Sequence, residues 1–318
     1  MTVMKSVLEA IGNTPLVSLE RLVKYWNLDG RILAKLDNLN PTASKKDRIA
    51  LGMIRDAELK GILKPGQTVI EETSGNTGNS LALVCSILGY PFVAVMSKGN
   101  SIERVRVSRA LGAKVVLVDQ SPNSKPGAVS ADDLELVRTE TAKLAKELGA
   151  FCAGQFENPS NATAQEITAD EMWEQSGGTI DAIADFVGTG GGFAGIASSM
   201  KRHNPNARCY LVEPENVPYY SGKKAGEGAK HRIQGGGYAR EVPFLDRSLI
   251  TDCIGVSDEE AIDCARLLSK IEGIFAGFSS GAHVAAAKKL LEEKEKGNTV
   301  AIVMCDSGLK YLSTDLYP

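Results

Sequence analysis

Histidine is scarce and scattered in this 318-residue chain: it occurs three times, as His203, His231 and His283. A histidine metal centre, or a triad built on histidine, has almost nothing to draw on. The six cysteines (Cys85, Cys152, Cys209, Cys253, Cys264, Cys305) form no Cys-x-x-Cys pair and sit mostly inside apolar runs. That spacing excludes a secreted disulfide framework and fits reduced thiols in a cytoplasmic protein. Excess positive charge is also missing. With 36 Lys+Arg against 39 Asp+Glu the net charge is −3, which excludes a mainly electrostatic nucleic-acid binder. No apolar run approaches the ~18 residues of a spanning helix. The opening Met-Thr-Val-Met-Lys lacks the basic-then-apolar build of a secretion signal, so a cytoplasmic protein with no membrane partner is expected.

What the chain has is apolar substance in alternation. Hydrophobic residues make up 43% and charged ones 24%, enough for a large core and about two domains of ordinary size. Apolar runs at Arg31–Lys35, Thr68–Glu71, Phe92–Met96, Lys114–Val118, Ile183–Val187, Cys209–Val212 and Val300–Met304 read as buried strands, with amphipathic helices between several of them. The segment Ser130–Leu148 is the clearest helix. Ser130 and Asp133 cap it, Leu134, Val137, Leu144 and Leu148 share a face, and Gly149 ends it. Another helix opens at Ser257, with Glu260 as its capping-box partner. Such alternation predicts an α/β fold of right-handed βαβ units, its parallel sheets flanked by helices. A boundary near Ala150–Gln155 would balance the strands on either side.

Four turns could carry chemistry. Gly188-Thr189-Gly190-Gly191-Gly192 follows the strand Ile183–Val187 and precedes a helix at Phe193–Arg202. Glycines there leave backbone N–H groups to face an anion, and the helix dipole favours one. Gly190–Gly195 also satisfies Gly-x-Gly-x-x-Gly, with Glu213 ending the next strand, so a Rossmann oxidoreductase binding a nicotinamide cofactor is a rival. Thr73-Ser74-Gly75-Asn76-Thr77-Gly78 adds hydroxyls and an amide at a second helix start. This suits a carboxylate or a small polar ring substituent, with a plain helix cap as the simpler account. In Ser44-Lys45-Lys46-Asp47-Arg48 the default is a solvated helix face; a lysine becomes a nucleophile only where desolvation or a cationic neighbour lowers its pKa. Gly277-Phe278-Ser279-Ser280-Gly281-Ala282 opens a further helix.

The order of these turns, together with Ile11-Gly12-Asn13-Thr14-Pro15-Leu16 and Tyr311-Leu312-Ser313-Thr314, is distinctive. From about Val7 to Tyr317 the chain resembles the cysteine synthase and cystathionine β-synthase family of pyridoxal-phosphate enzymes. The resemblance implies the two-domain, tryptophan-synthase-β-like architecture of fold type II. A smaller domain with a mobile lid would span 44–152, and 1–43 plus 153–318 would form the larger cofactor-phosphate domain. It implies pyridoxal 5′-phosphate held as a Schiff base by Lys46, with Asn76 at the ring hydroxyl and Ser279 at the pyridine nitrogen. Gly188, Thr189, Gly190, Gly191 and Gly192 would take the phosphate. Thr73, Ser74, Thr77 and Gln155 would bind the substrate carboxylate, and no metal is involved.

A serine at the pyridine nitrogen makes a weaker electron sink than a carboxylate would, which steers chemistry toward loss of a β-substituent and away from transamination. Lys46, once substrate displaces it, would move the α-proton. The implied activity is β-replacement on an O-activated L-serine through an enzyme-bound aminoacrylate, with sulfide or a related nucleophile. The same apparatus could instead serve a cysteine lyase or a lanthionine- or cystathionine-type synthase. A small amino-acid substrate and a homodimer complete the expectation. A non-catalytic homologue would be expected to have lost Lys46, which is present.

The chain also departs from the family pattern. Gly192 stands where threonine is usual and Glu72 where proline is. The lid stretch Met96–Arg104 carries Ser97 and Asn100 in place of proline and methionine, and Gly235-Gly236-Gly237 is followed by Tyr238 and Arg240. Glu72 and Asn100 add polarity, and are expected to move donor or nucleophile preference away from ordinary cysteine synthesis.

Overall fold

The computed structural model describes residues 3–73, 75–124, 129, 131–226 and 229–318. In chain order the elements are β1 (Leu16–Ser18), α1 (Glu20–Tyr25), β2 (Arg31–Lys35), α2 (Lys46–Leu59), β3 (Val69–Glu72), α3 (Asn76–Leu88), β4 (Phe92–Ser97), α4 (Ile102–Ala110), β5 (Lys114–Val118), α5 (Ala131–Leu148) and β6 (Phe151–Cys152). There follow α6 (Ser160–Gln175), β7 (Ala182–Phe186), α7 (Gly191–His203), β8 (Arg208–Pro214), β9 (Asp252–Val256), α8 (Asp258–Leu267), α9 (Phe278–Glu292) and β10 (Thr299–Val303). The chain divides into two compact units, one of Met1–Glu9 and Lys46–Ser160, the other of Ala10–Lys45 and Asn161–Pro318. Among the described residues no helix is long and apolar enough to cross a membrane.

The first unit holds a parallel four-stranded sheet in the order β5-β4-β3-β6. All six residues of β4 are buried, as a strand covered on both faces requires. Ile70, Val93 and Val95 pack against Val137 of α5. That helix differs from its sequence-based face: Leu134 and Leu148 are exposed, and the buried side runs through Asp133, Val137 and Thr141. Asp133 is spent on the preceding loop, accepting the Ser121 N–H at 2.6 Å. The expected cap Ser130 lies outside the described residues. Because β3 and β6 are neighbours, Ile70 pairing with Cys152, the loops that leave their C-terminal ends emerge side by side.

The second unit holds a six-stranded sheet, β1-β2-β10-β7-β8-β9, parallel except for β1. Its two faces bury separate apolar clusters. One face carries Ala182, Ala184 and Phe186 with Phe278, Ala282 and Ala286 of α9; the other carries Ile183 and Val187 with Phe193, Ile196 and Met200 of α7. The helix α8 starts on the capping box the sequence predicts: Ser257 Oγ accepts the Glu260 N–H at 3.1 Å, and Glu260 Oε2 accepts the Ser257 N–H at 2.8 Å. The strands β1 and β9 escaped prediction, being short or only partly apolar.

Candidate active site

In the second unit the glycine turn sits at the C-terminal ends of β7 and β10, the edge at which open parallel sheets bind ligands. The helix after it begins at Gly191, two residues earlier than predicted, so Gly191 and Gly192 form its first turn. Each glycine is needed for its own reason. Gly190 has φ +81°, and a β-carbon on it would lie 2.6 Å from Val242 Cγ1. One on Gly188 would lie 2.5 Å from the Gly235 carbonyl oxygen, and one on Gly191 would collide with Asn161. Asn161 Nδ2 donates to Thr189 Oγ1 at 2.9 Å and so holds the turn from α6. The first turn of a helix leaves its N–H groups without intrahelical partners, and the cap residue Gly190 has no side chain to meet them.

Behind Gly192 lies a group of buried polar side chains. Lys45 Nζ is 2.9 Å from Asp185 Oδ1. Burial works against the Lys45 charge, but Asp185 outweighs it and holds the ammonium above the usual lysine range. Burial likewise opposes ionisation of Asp185, and Lys45 outweighs that to hold the carboxyl well below the carboxylate range. His283 of α9 completes the group, accepting the Phe186 N–H at Nε2 (2.6 Å) with Nδ1 2.5 Å from the Val303 carbonyl oxygen. The segment before Lys46 is pinned to the end of β10: Ser44 bridges Asp306, and the Lys45 N–H donates to the Cys305 carbonyl at 2.8 Å. Ser279, buried in the first turn of α9, has its Oγ 3.9 Å from the point a β-carbon on Gly235 would occupy.

In the first unit Lys46 is the half-buried first residue of α2. Its neighbour Asp47 is fully buried and accepts from Ser80 Oγ at 2.5 Å, which ties the start of α2 to α3. Asn76 and Thr77 open α3, with Gly75 as its cap. Thr73 Oγ1 accepts the Gly78 N–H at 3.0 Å, and Thr77 Oγ1 donates to Gln155 Oε1 at 2.6 Å. The structure thus brings Thr73, Asn76, Thr77 and Gln155 together; Ser74 lies outside the described residues. Gln155 is held by a residue the sequence did not single out: Glu71 Oε2 accepts the Gly154 N–H at 2.7 Å and its Oε1 the Gln155 N–H at 3.4 Å. Burial pushes the Glu71 carboxyl up to about 7, with those two N–H groups pulling the other way.

Two departures and one rival residue find partners of their own. Asn100 Nδ2 donates to the Ser97 carbonyl at 3.0 Å, closing its own turn, and Glu72 lies 3.7 Å from Arg138 Nε. Glu213, which a dinucleotide site would need for ribose, is buried and already accepts the N–H groups of Tyr219 (2.8 Å), Tyr220 (2.8 Å) and Ser221 (3.1 Å). A carboxylate so occupied has little capacity left for a hydroxyl pair.

The profile of the family described as "Pyridoxal-phosphate dependent enzyme" matches residues 7–306. The chain belongs to this family. It is 40% identical over 314 residues to a cysteine synthase of Staphylococcus aureus (98% of this chain, 96% of the relative) and 38% identical over 323 residues to an O-ureido-L-serine synthase of Streptomyces lavendulae (100% and 94%). Among solved structures it is similar to an O-acetyl serine sulfhydrylase, isoform 3, of Entamoeba histolytica, with a TM-score of 0.91 and 34% identity over 99% of this chain and 92% of that one. The protein is therefore a pyridoxal-phosphate-dependent transferase with the fold of the cysteine synthases.

The residues present suit that cofactor. A helix start built of glycines whose β-carbons the packing forbids is a cradle for a phosphate, and neutral hydroxyl and amide groups surround the start of α3. Sequence inspection found the glycines, the hydroxyls and the lysine because each has a local pattern. It missed Glu71, Asp185 and His283, whose partners are far along the chain. Asp185 had left one signal: a charged residue inside the apolar run Ile183–Val187, which is buried only where it is paired.

Proposed function

We propose that the enzyme catalyses β-replacement on an O-activated L-serine, with sulfide or a related nucleophile. The observation that carries the proposal is the Thr77–Gln155 pair at the N-terminus of α3: the Thr77 hydroxyl donates to Gln155 Oε1 and so orients the Gln155 amide, whose NH2 joins the backbone N–H groups of the helix start as neutral donors for an amino-acid carboxylate. The relatives support the reaction class: O-ureido-L-serine and cysteine differ only in the group on the β-carbon.

Lys46 would hold pyridoxal 5′-phosphate, which would supply an electron sink for the bond changes at the substrate's α- and β-carbons. In this proposal Lys46 Nζ moves the α-proton. Thr73, Ser74, Thr77 and Gln155 hold the carboxylate, and Asn76 meets the ring hydroxyl. Ser279 offers the ring nitrogen an uncharged hydroxyl, and Gly188, Thr189, Gly190, Gly191 and Gly192 take the phosphate. The unit containing Lys46–Ser160 acts as the smaller, lid-bearing domain, expected from the sequence at 44–152, with Ala10–Lys45 and Asn161–Pro318 as the cofactor-phosphate domain, expected at 1–43 and 153–318. A cytoplasmic homodimer belongs to the same proposal, and the free thiols, Cys152 exposed among them, support a reducing compartment.

A panel of O-acetyl-L-serine, O-phospho-L-serine, L-serine and L-cysteine, each with sulfide or a thiol and with products identified by mass, tests it. The expected result is a β-substituted alanine from an O-activated serine. Consumption of L-cysteine alone, with release of sulfide, would replace it with a lyase.

A further inference from the structure

The Lys45–Asp185 pair has no part in the chemistry above, yet it occupies a telling place. A β-carbon added at Gly192 would lie 2.5 Å from Asp185 Oδ2 and 2.9 Å from Lys45 Nζ. The pair thus fills the volume that any side chain at position 192 would enter, at the first turn of α7. Lys45 is fixed there along its backbone, its N–H donating to the Cys305 carbonyl at 2.8 Å and its carbonyl accepting from Gln165 Nε2 at 3.3 Å. A buried ion pair is weak support for stability, since desolvation offsets its attraction. A role toward a ligand explains its position better.

We propose that the Lys45 ammonium is a cofactor-binding group, supplying at Gly192 a positive charge for the phosphate of pyridoxal phosphate, with Asp185 as the carboxylate that competes with the phosphate for it. The proposal rests on the phosphate site at Gly188–Gly192. A helix N-terminus carries only about half a unit of positive charge, whereas a phosphate monoester carries about −1.5 to −2 at neutral pH. Backbone N–H groups alone leave that charge largely uncompensated. An ammonium directly behind the glycine, where a neutral hydroxyl side chain could not fit, makes up the difference. The two adjacent lysines then divide the cofactor between them, Lys46 at the reactive end and Lys45 at the phosphate.

The test compares binding of pyridoxal 5′-phosphate and of pyridoxal, which lacks the phosphate, to the cofactor-free full chain by fluorescence titration. Wild type should favour the phosphorylated form strongly. Lys45→Met should cut that preference about tenfold or more, the scale of one charge-assisted hydrogen bond, and leave pyridoxal binding unchanged. Asp185→Asn removes the competing carboxylate and should leave the preference intact or raise it. A merely structural pair predicts the same loss from both single changes. Equal losses, or no loss in Lys45→Met, would overturn the proposal. Should Lys45→Met fail to fold, the double variant Lys45→Met/Asp185→Asn removes both charges together. It should keep its circular-dichroism melting point and lose the preference; retained preference again overturns the proposal. A wild type indifferent to the phosphate would overturn the Gly188–Gly192 site itself as well.

Discussion

In the proposed function, Thr77 and Gln155 are single residues arranged for a carboxylate before it arrives. Their 2.6 Å hydrogen bond fixes two neutral groups at the start of α3, so little ordering remains to be done when a carboxylate binds. Thr77→Ala and Gln155→Ala should each weaken substrate binding, read from the spectral change of the bound cofactor, by about 1.5–3 kcal/mol while leaving the cofactor in place. Unchanged affinity in both would contradict the assignment. Glu71, which holds Gln155 from behind, makes a separate prediction in pH. Its carboxyl is raised to about 7 by burial, so the folded state keeps a proton that the unfolded chain releases near 4.5. The stability it contributes is fully present below pH 4.5 and is lost as pH rises through about 7, an effect of about 3 kcal/mol. Thermal melts between pH 5 and 8 should show this decline in wild type and a flatter profile in Glu71→Gln. Identical slopes would mean that Glu71 is ionised throughout.

Whole elements set where these residues stand. The loops after β3 and β6 meet because those strands are neighbours, and the glycine turn takes its place from β7 in the middle of the larger sheet. The turn is hemmed in by Asn161 of α6, Asp185 of β7, Lys45 and the segment carrying Gly235 and Val242, so packing alone requires its glycines. Gly190→Ala puts a β-carbon into a left-handed residue and against Val242, so it should cost about 2 kcal/mol or more and lower the melting temperature. An unchanged melting temperature would contradict the turn's conformation. The sequence showed the buried strands and the Ser257–Glu260 cap well, because apolar runs and capping boxes are local. It misjudged the face of α5, where Leu134 and Leu148 are exposed and Asp133 is turned inward to its own loop. Helical periodicity alone does not reveal which stripe a sheet will cover.

At the scale of the whole molecule, the family likeness covers almost the entire chain, and the departures from it gain a physical sense from distant contacts. Gly192 is a case in point. It stands where the family usually has threonine, and the structure shows the space a side chain would need filled by Lys45 and Asp185, 140 residues apart. Such a pair is invisible to any local pattern, just as Glu71 is invisible until β3 and β6 are aligned. Asn100 and Glu72 read differently as well. Their side chains engage Ser97 and Arg138, so a shift of donor preference has to be sought in the product panel and not in polarity alone. In the proposed site two adjacent lysines have different tasks. Reduction of the yellow holoenzyme with borohydride, followed by peptide mapping by mass, separates them. The prediction is a cofactor adduct on Lys46, abolished together with the colour in Lys46→Ala; an adduct on Lys45, or none on either lysine, would contradict it.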